Sequence, residues 1–295
     1  FFKQKTAYEI VHRDWSSDVC SSDLVKLLHI SDLHYRMQYK SSNKAFAYDS
    51  IFPNMVPPMQ QLDICLQKMG EKEREQLSAV LISGDMTEYG TQEDYKQLHT
   101  EIEKRFPDIP IIVTPGNHDE RQTFQKGWLG WETVKDEPYC YIRRLGSVSI
   151  LSMDNSYPGS ADGKIGWYQC DWLKKALESE KGQAILLMTH HHLLPRQAEF
   201  PACEVTEGFN EILRRSSISM ILCGHTHQLY RGFYENIPYR TAMSLSFVGE
   251  DQEQRVCMRG SCGYSLYEFD NNNGILIRER HEALGTQEIL GYVKF

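Results

Sequence analysis

Residues 218–228 read ISMILCGHTHQ, a nearly continuous apolar run that ends in two imidazoles, His225 and His227, separated by one threonine. A short β-branched and leucine-rich run of this kind suits a strand buried on both faces. In an extended chain, residues two apart point the same way. Both rings are therefore expected to face one target, and neutral imidazole is a good ligand for zinc, iron, manganese and related ions. Taken alone, H-x-H fits two polar residues in a surface turn equally well. The deciding question is whether other strands end in the same manner.

Five more runs have the same character: VKLLHI (25–30), SAVLIS (78–83), IPIIVT (109–114), SVSILSMD (147–154) and QAILLMT (183–189). Between them lie helical patterns. Residues 91–106 open with Thr91 and Asp94 in a capping-box arrangement and carry Tyr95, Leu98, Ile102 and Phe106 on one stripe. Residues 167–177 and 206–215 read similarly. Alternation of strand and helix predicts an α/β layered fold. Two later segments, 232–247 and 263–280, read as strand pairs with turns at Asn236 to Pro238 and Asp270 to Gly274. They are expected to extend or cover a sheet, so that residues 24–295 make one domain.

Ligands in open α/β sheets sit at the carboxyl ends of strands. Asp32 and His34 follow the first run (SDLHYR), Asp85 the second (SGDMTEYG), and Asn117, His118 and Asp119 the third (TPGNHDE). His190 to His192 follow the fifth run (THHHLLP), and His225 and His227 the sixth. Each piece has a bland reading, Asp32 as a helix cap and Asp85 or Asn117 as turn residues. Five such endings in six strands outweigh those readings together. A mixed Asp, Asn and His set without thiolate favours Mn²⁺, Fe or Zn²⁺. The set is too large for one ion, which predicts two ions bridged by a shared carboxylate, the arrangement that hydrolyses phosphate esters. His29, inside the first strand, is expected to pack in the core, and His99 and His281 to be solvated.

Composition narrows the partners. The chain has 295 residues, 41% hydrophobic and 24% charged, with a formal net charge of -8. Nothing in that balance attracts nucleic acid or an anionic membrane surface, so a small phosphoester is the expected partner. Eight cysteines are scattered without a C-x-x-C, as reduced thiols would be. No apolar run approaches the length of a membrane span, and a cytoplasmic protein is expected. Residues 1–24, FFKQKTAYEIVHRDWSSDVCSSDL, show no secretory pattern and no helical or strand period. They resemble the translation of a sequencing-adapter read fused to a truncated gene. Residues 1–23, with His12 and Cys20, are therefore expected to lie outside the fold, which should begin near Leu24 or Val25.

The blocks D-L-H, G-D, G-N-H-D, H-H and G-H-T-H, in this order from residue 25 to about 247, resemble the calcineurin-like metallophosphoesterase superfamily. The segment 153–177, with Gly163, Gln169 and Trp172, and the run TAMSLSF are similar to the branch that contains bacterial cyclic-nucleotide and glycerophosphodiester phosphodiesterases. The resemblance implies a four-layer α/β/β/α sandwich, two sheets flanked by helices, with a dinuclear site at one edge. It implies Asp32, His34 and His227 on a first metal, Asp85 as the bridge, and Asn117, His190 and His225 on a second. His190 is preferred to His191 because it is nearest the strand end and five residues before Pro195. His118 would face the phosphate as general acid, with Asp119 orienting its ring. The long segment 35–60 would shape a substrate pocket or run as a surface loop; Tyr35, Arg36 and His191 are the residues expected to meet substrate. The implied activity is metal-dependent phosphoester hydrolysis, with a bridging hydroxide attacking the phosphorus of a phosphodiester. Alternatives in the superfamily are a phosphomonoesterase or nucleotidase and a non-catalytic metal-binding module. Glu88 and Tyr89 stand where protein phosphatases of the superfamily carry an Asp-Arg pair, which argues against that activity.

Overall fold

In the computed structural model, residues 23–37, 50–195, 197, 201–252, 255–285 and 288–293 are described. The expected leader, apart from Asp23, and residues 38–49 of the segment 35–60 lie outside the described residues. All six apolar runs form strands: β1 (Leu24–Ile30), β2 (Ala79–Ile82), β3 (Ile111–Val113), β5 (Val148–Met153), β7 (Ala184–Met188) and β9 (Ile218–Cys223). They divide between two sheets.

In the first sheet β1, β2 and β3 run parallel, and an antiparallel pair, β14 (Gly263–Asp270) and β15 (Leu276–Ala283), extends it in the order β15-β14-β1-β2-β3. The second sheet has parallel β5, β7 and β9 at its centre. β11 (Ile237–Thr241) and β10 (Tyr230–Tyr234) flank it on one side and β4 (Cys140–Leu145) on the other. The second predicted strand pair thus extends the first sheet, as expected of it. The other turns at Glu235 and Asn236, both left-handed (φ 48° and 65°), about one residue earlier than the sequence suggested.

Period-2 burial explains how the sheets face each other. Val25 and Leu27 on β1, Leu81 on β2, Ile150 on β5, Leu186 on β7 and Leu222 on β9 form the core between the sheets. The opposite faces are covered by helices. On the first sheet, Leu28, Ile30 and Val80 pack against α1 (Pro58–Met69), α3 (Gln92–Arg105) and α4 (Arg121–Gly127). The short α2 (Glu71–Arg74) follows α1 directly. On the second, Leu151, Leu187 and Ile221 pack against α5 (Trp167–Ser179) and α6 (Phe209–Arg214). The result is the predicted four-layer order. Thr91 caps α3 by accepting the N–H of Asp94, and Tyr95, Leu98, Ile102 and Phe106 are buried as the stripe requires.

Several elements were not legible. α1 begins at Pro58, inside the segment read as loop, because Pro57 and Pro58 hide a helix start behind residues that usually break one. A third sheet of β12 (Phe247–Gln252), β13 (Arg255–Gly260) and β16 (Ile289–Val293) packs on Ile51, Phe52 and Met55. A two-stranded pair, β6 (Lys164–Ile165) and β8 (Glu204–Val205), joins the segments before α5 and α6. His29 is buried as expected. His281, expected in solvent, has a side chain only 8% exposed and its Nδ1 lies 2.7 Å from Ser265 Oγ, because β15 turns this position toward the second sheet.

Candidate metal centre

Loops leaving the carboxyl ends of β1, β2 and β3 meet those leaving β7 and β9 across the gap between the sheets. Five of the residues picked from the sequence have left-handed backbone: Asp32 (φ 52°), His34 (47°), Asp85 (46°), His225 (70°) and His227 (58°). Only three other non-glycine residues do so among those described. A conformation that costs of order 1–3 kcal/mol per residue persists where surrounding contacts enforce it, and such residues cluster at functional sites. Here they correct the extended-chain argument for H-x-H. Because His225 and His227 lie past the strand, their rings diverge and serve two different groups of donors.

The first group contains Asp32, His34, Asp85 and His227, with donor atoms close enough to hold one ion. His34 Nε2 and His227 Nε2 are 3.1 Å apart. Asp32 Oδ1 lies 3.4 Å from His227 Nε2, and Asp85 Oδ2 lies 3.8 Å from His34 Nε2. In the second group the same Asp85 Oδ2 is 3.3 Å from His190 Nε2. Asn117 Oδ1 sits between His190 Nε2 (3.2 Å) and His225 Nδ1 (3.1 Å). Asp85 thus faces both groups with one oxygen, while its Oδ1 accepts the N–H of His118 at 2.9 Å.

The outer nitrogens of these rings decide what the inner ones can do. His34 Nδ1 faces the Glu88 carboxylate at 2.7 Å, His227 Nδ1 the Phe247 carbonyl at 2.6 Å, and His190 Nδ1 the Ser83 carbonyl at 2.7 Å. An acceptor at Nδ1 fixes the proton there and turns the Nε2 lone pair inward, the usual support of a metal-ligating histidine. Two such lone pairs, from His34 and His227, point at each other beside two carboxylates. A cation answers that arrangement, so the residues fit the metal ions the sequence implies.

The charges agree. Burial raises Asp85, but the imidazoles of His190, His118 and His34 outweigh it and hold the carboxyl well below the usual range. Burial lowers His190, yet the carboxylates of Asp85 and Asp32 carry it to about 9. A field that favours a proton on the inner nitrogen of a wholly buried imidazole is negative enough to favour a metal cation in that proton's place. Burial also lowers His227, to about 4, and leaves Asp32 raised despite the imidazoles beside it.

Four expectations about neighbouring residues need correction or refinement. Asp119 does not align His118: its carboxylate accepts the N–H groups of Met86, Thr87 and Gly116 and the Tyr95 hydroxyl, stapling two loops together. Glu88 meets the His118 ring instead, through its carbonyl (3.1 Å from Nδ1) and its carboxylate (3.7 Å). His191 is buried, with Nδ1 3.2 Å from Asn155 Oδ1 and Nε2 3.1 Å from the Ala161 carbonyl, so it has no open face toward a substrate. Tyr35 is half-buried and packs against the core of the first sheet. Arg36 stays beside the first group, its Nη1 donating to the His34 carbonyl at 2.9 Å and its guanidinium 3.5 Å over Phe52.

Glu88 and Asn155 were missed in these roles. Asn155 Oδ1 accepts the backbone N–H of His190 (3.2 Å) and of His191 (3.1 Å), and its Nδ2 donates to the His191 carbonyl, fixing the histidine tract. Its signal was present: the fourth run also ends in polar residues, Asp154 and Asn155. Glu88 lies three residues past Asp85, and only its difference from a phosphatase block drew notice.

A layered α/β/β/α fold with a buried His, Asp and Asn cluster at its strand ends defines a protein built to hold metal ions between two sheets. The profile of the calcineurin-like phosphoesterase family matches residues 25–229, and the chain belongs to that family. A cAMP/cGMP dual specificity phosphodiesterase of Mycobacterium tuberculosis is 24% identical over 242 residues, 80% of this chain and 71% of that protein. The glycerophosphodiester phosphodiesterase of Enterobacter lignolyticus is 28% identical over 221 residues, 69% of this chain and 71% of that protein. A Rhodococcus erythropolis protein named "Probable cyclic nucleotide phosphodiesterase" is 29% identical over 190 residues, and the match spans 63% of each chain. Among solved structures, a yellow lupin purple acid phosphatase superposes with a TM-score of 0.54 at 13% identity, over 91% of this chain and 55% of that one, a likeness of fold. No helix among the described residues is long and apolar enough to cross a membrane.

Proposed function

We propose that this chain is a metal-dependent phosphodiesterase acting on small phosphodiesters, with cyclic nucleotides and glycerophosphodiesters as the substrate classes to try first. The observation that carries the reading is Asp85 Oδ2 placed between His34 and His190, one carboxylate oxygen shared by two donor groups. Asp32, His34 and His227 would hold one ion, Asn117, His190 and His225 the other, and Asp85 both. Mn²⁺ and Fe suit this oxygen and imidazole set, with Zn²⁺ as a further candidate. When bound, two such ions neutralise charge on the phosphoryl oxygens and make water acidic enough to attack phosphorus.

The chain's own residues would do the rest. His118, the partly exposed imidazole at the rim, is positioned by Glu88 to give a proton to the leaving oxygen. Arg36 lies close enough to the first group to meet a non-bridging phosphoryl oxygen once its guanidinium leaves Phe52. The names of the bacterial relatives support a diester in preference to a monoester. All seven described cysteines are free thiols, which supports a cytoplasmic setting.

The test is hydrolysis of bis(p-nitrophenyl) phosphate, p-nitrophenyl phosphate and cyclic AMP, after chelation and re-addition of Mn²⁺. Metal-restored cleavage of the diesters is expected. Faster cleavage of the monoester would replace the reading with a phosphomonoesterase. Two bound ions with no turnover of any phosphoester would leave a binding module.

A further inference from the structure

Two of the free thiols meet. Cys65 on α1 and Cys262, just before β14, bring their sulfurs within 3.4 Å across 197 residues of sequence. Cys262 Sγ also lies 3.4 Å from the carbonyl oxygen of Gln61, one turn before Cys65 on the same helix. With its S–H donated there, its lone pairs face the S–H of Cys65. Both side chains are buried in the core that seats α1 on the first sheet, with Leu62, Leu66, Tyr264 and Leu266 around them. Among the described residues no other pair of cysteines shows such a contact.

We propose that Cys65 and Cys262 form a reversible disulfide, a redox modification site beneath α1 that acts on a two-electron oxidant of the hydroperoxide class. The bonds balance in two steps. One thiol gives up its proton, its thiolate attacks the O–O bond of hydrogen peroxide, and the departing hydroxide takes that proton, giving a sulfenic acid and one water. The second thiol then displaces the hydroxyl, forming the S–S bond and a second water. Bonding requires the sulfurs to close from 3.4 Å to about 2.05 Å. Burial sets the rate, because the oxidant reaches either sulfur only when α1 lifts. Such lifting is a local opening of the helix from the first sheet, which low urea promotes. Once formed, the link closes a loop of almost two hundred residues and restricts the unfolded chain.

The experiment treats the intact protein with hydrogen peroxide, quenches it by alkylation in denaturant, and maps peptides without reduction. The expected result is a cross-linked peptide pair containing residues 65 and 262, two hydrogens lighter than the separate peptides, and released by dithiothreitol. Its formation should accelerate in low urea, and the oxidised protein should melt several degrees higher than the reduced one. Cys65→Ser and Cys262→Ser should each abolish the link and the melting shift. If one variant fails to fold, the other and the peptide map of the unmutated protein still decide. Sulfinic or sulfonic acid on a single cysteine, a link to a different cysteine, or two thiols still fully alkylated after urea has made the α1 amides exchange would each overturn the proposal.

Discussion

A single carboxylate oxygen faces imidazoles from both sheets, and the consequences of changing it differ from those at any other position. Asp85→Asn keeps the shape but removes the charge shared by both groups of donors. It should lower the metal content at both sites and reduce turnover more than His34→Ala, which touches one group. Metal analysis beside the kinetics checks this, and equal losses with unchanged metal content would contradict the bridging role. Glu88→Gln replaces the acceptor that fixes the His34 proton on Nδ1. By the usual cost of losing such a support, it should weaken the first metal by about 10- to 100-fold while leaving the second bound. Metal titration separates the two. The seven expected ligand positions were legible in the sequence because each follows an apolar strand directly. The partners that aim them were not: Glu88, Ser83 and Phe247 act through carbonyls or through a side chain whose target comes from a distant strand.

Elements position the site by bringing strand ends close together, and glycine is what permits the approach. A Cβ at Gly116, in the loop after β3, would collide with the Asp85 carboxylate and crowd the His190 ring. Gly116→Ala is therefore expected to lower turnover by at least tenfold, with circular dichroism unchanged and metal content reduced. Normal metal loading in that variant would show that the loop can yield. The strands and α3 were readable because local pattern and tertiary role agree, as in the Thr91 cap and the Tyr95 to Phe106 stripe. α1 and the third sheet were not. The first starts behind two prolines, and the second gains its apolar face only by packing on Ile51, Phe52 and Met55, which no local period announces.

At the scale of the whole molecule, the buried histidines make stability depend on pH. Burial, with the nearby His281 adding to it, takes His29 from 6.5 down to about 3. The unfolded chain binds a proton at this site from pH 6.5 downward while the folded chain does not. For this group the sign is therefore fixed: its contribution to stability is full above about 6.5 and falls as pH drops toward 3. For one group the loss runs at about 1.4 kcal/mol per pH unit, which reaches about 3 kcal/mol by pH of about 4.5. Urea unfolding of the native protein and of His29→Gln, compared at both ends of that range, should show a shallower pH slope in the variant. Equal slopes would mean that the ring is protonated in the folded state.

Four close approaches in the candidate site join one sheet to the other: His34 to His227, Asp85 to His190, Asn117 to His225, and Asp32 to the His225 backbone. The ions would therefore work as a gauge of alignment between the two halves of the sandwich. A slip of one strand position, about 3.3 Å, would part every one of those contacts at once. Removing packing far from any donor, as in Leu186→Ala between the sheets, should then loosen the metals while each ligand remains in place, and tightly bound ions should in turn hold the halves in register.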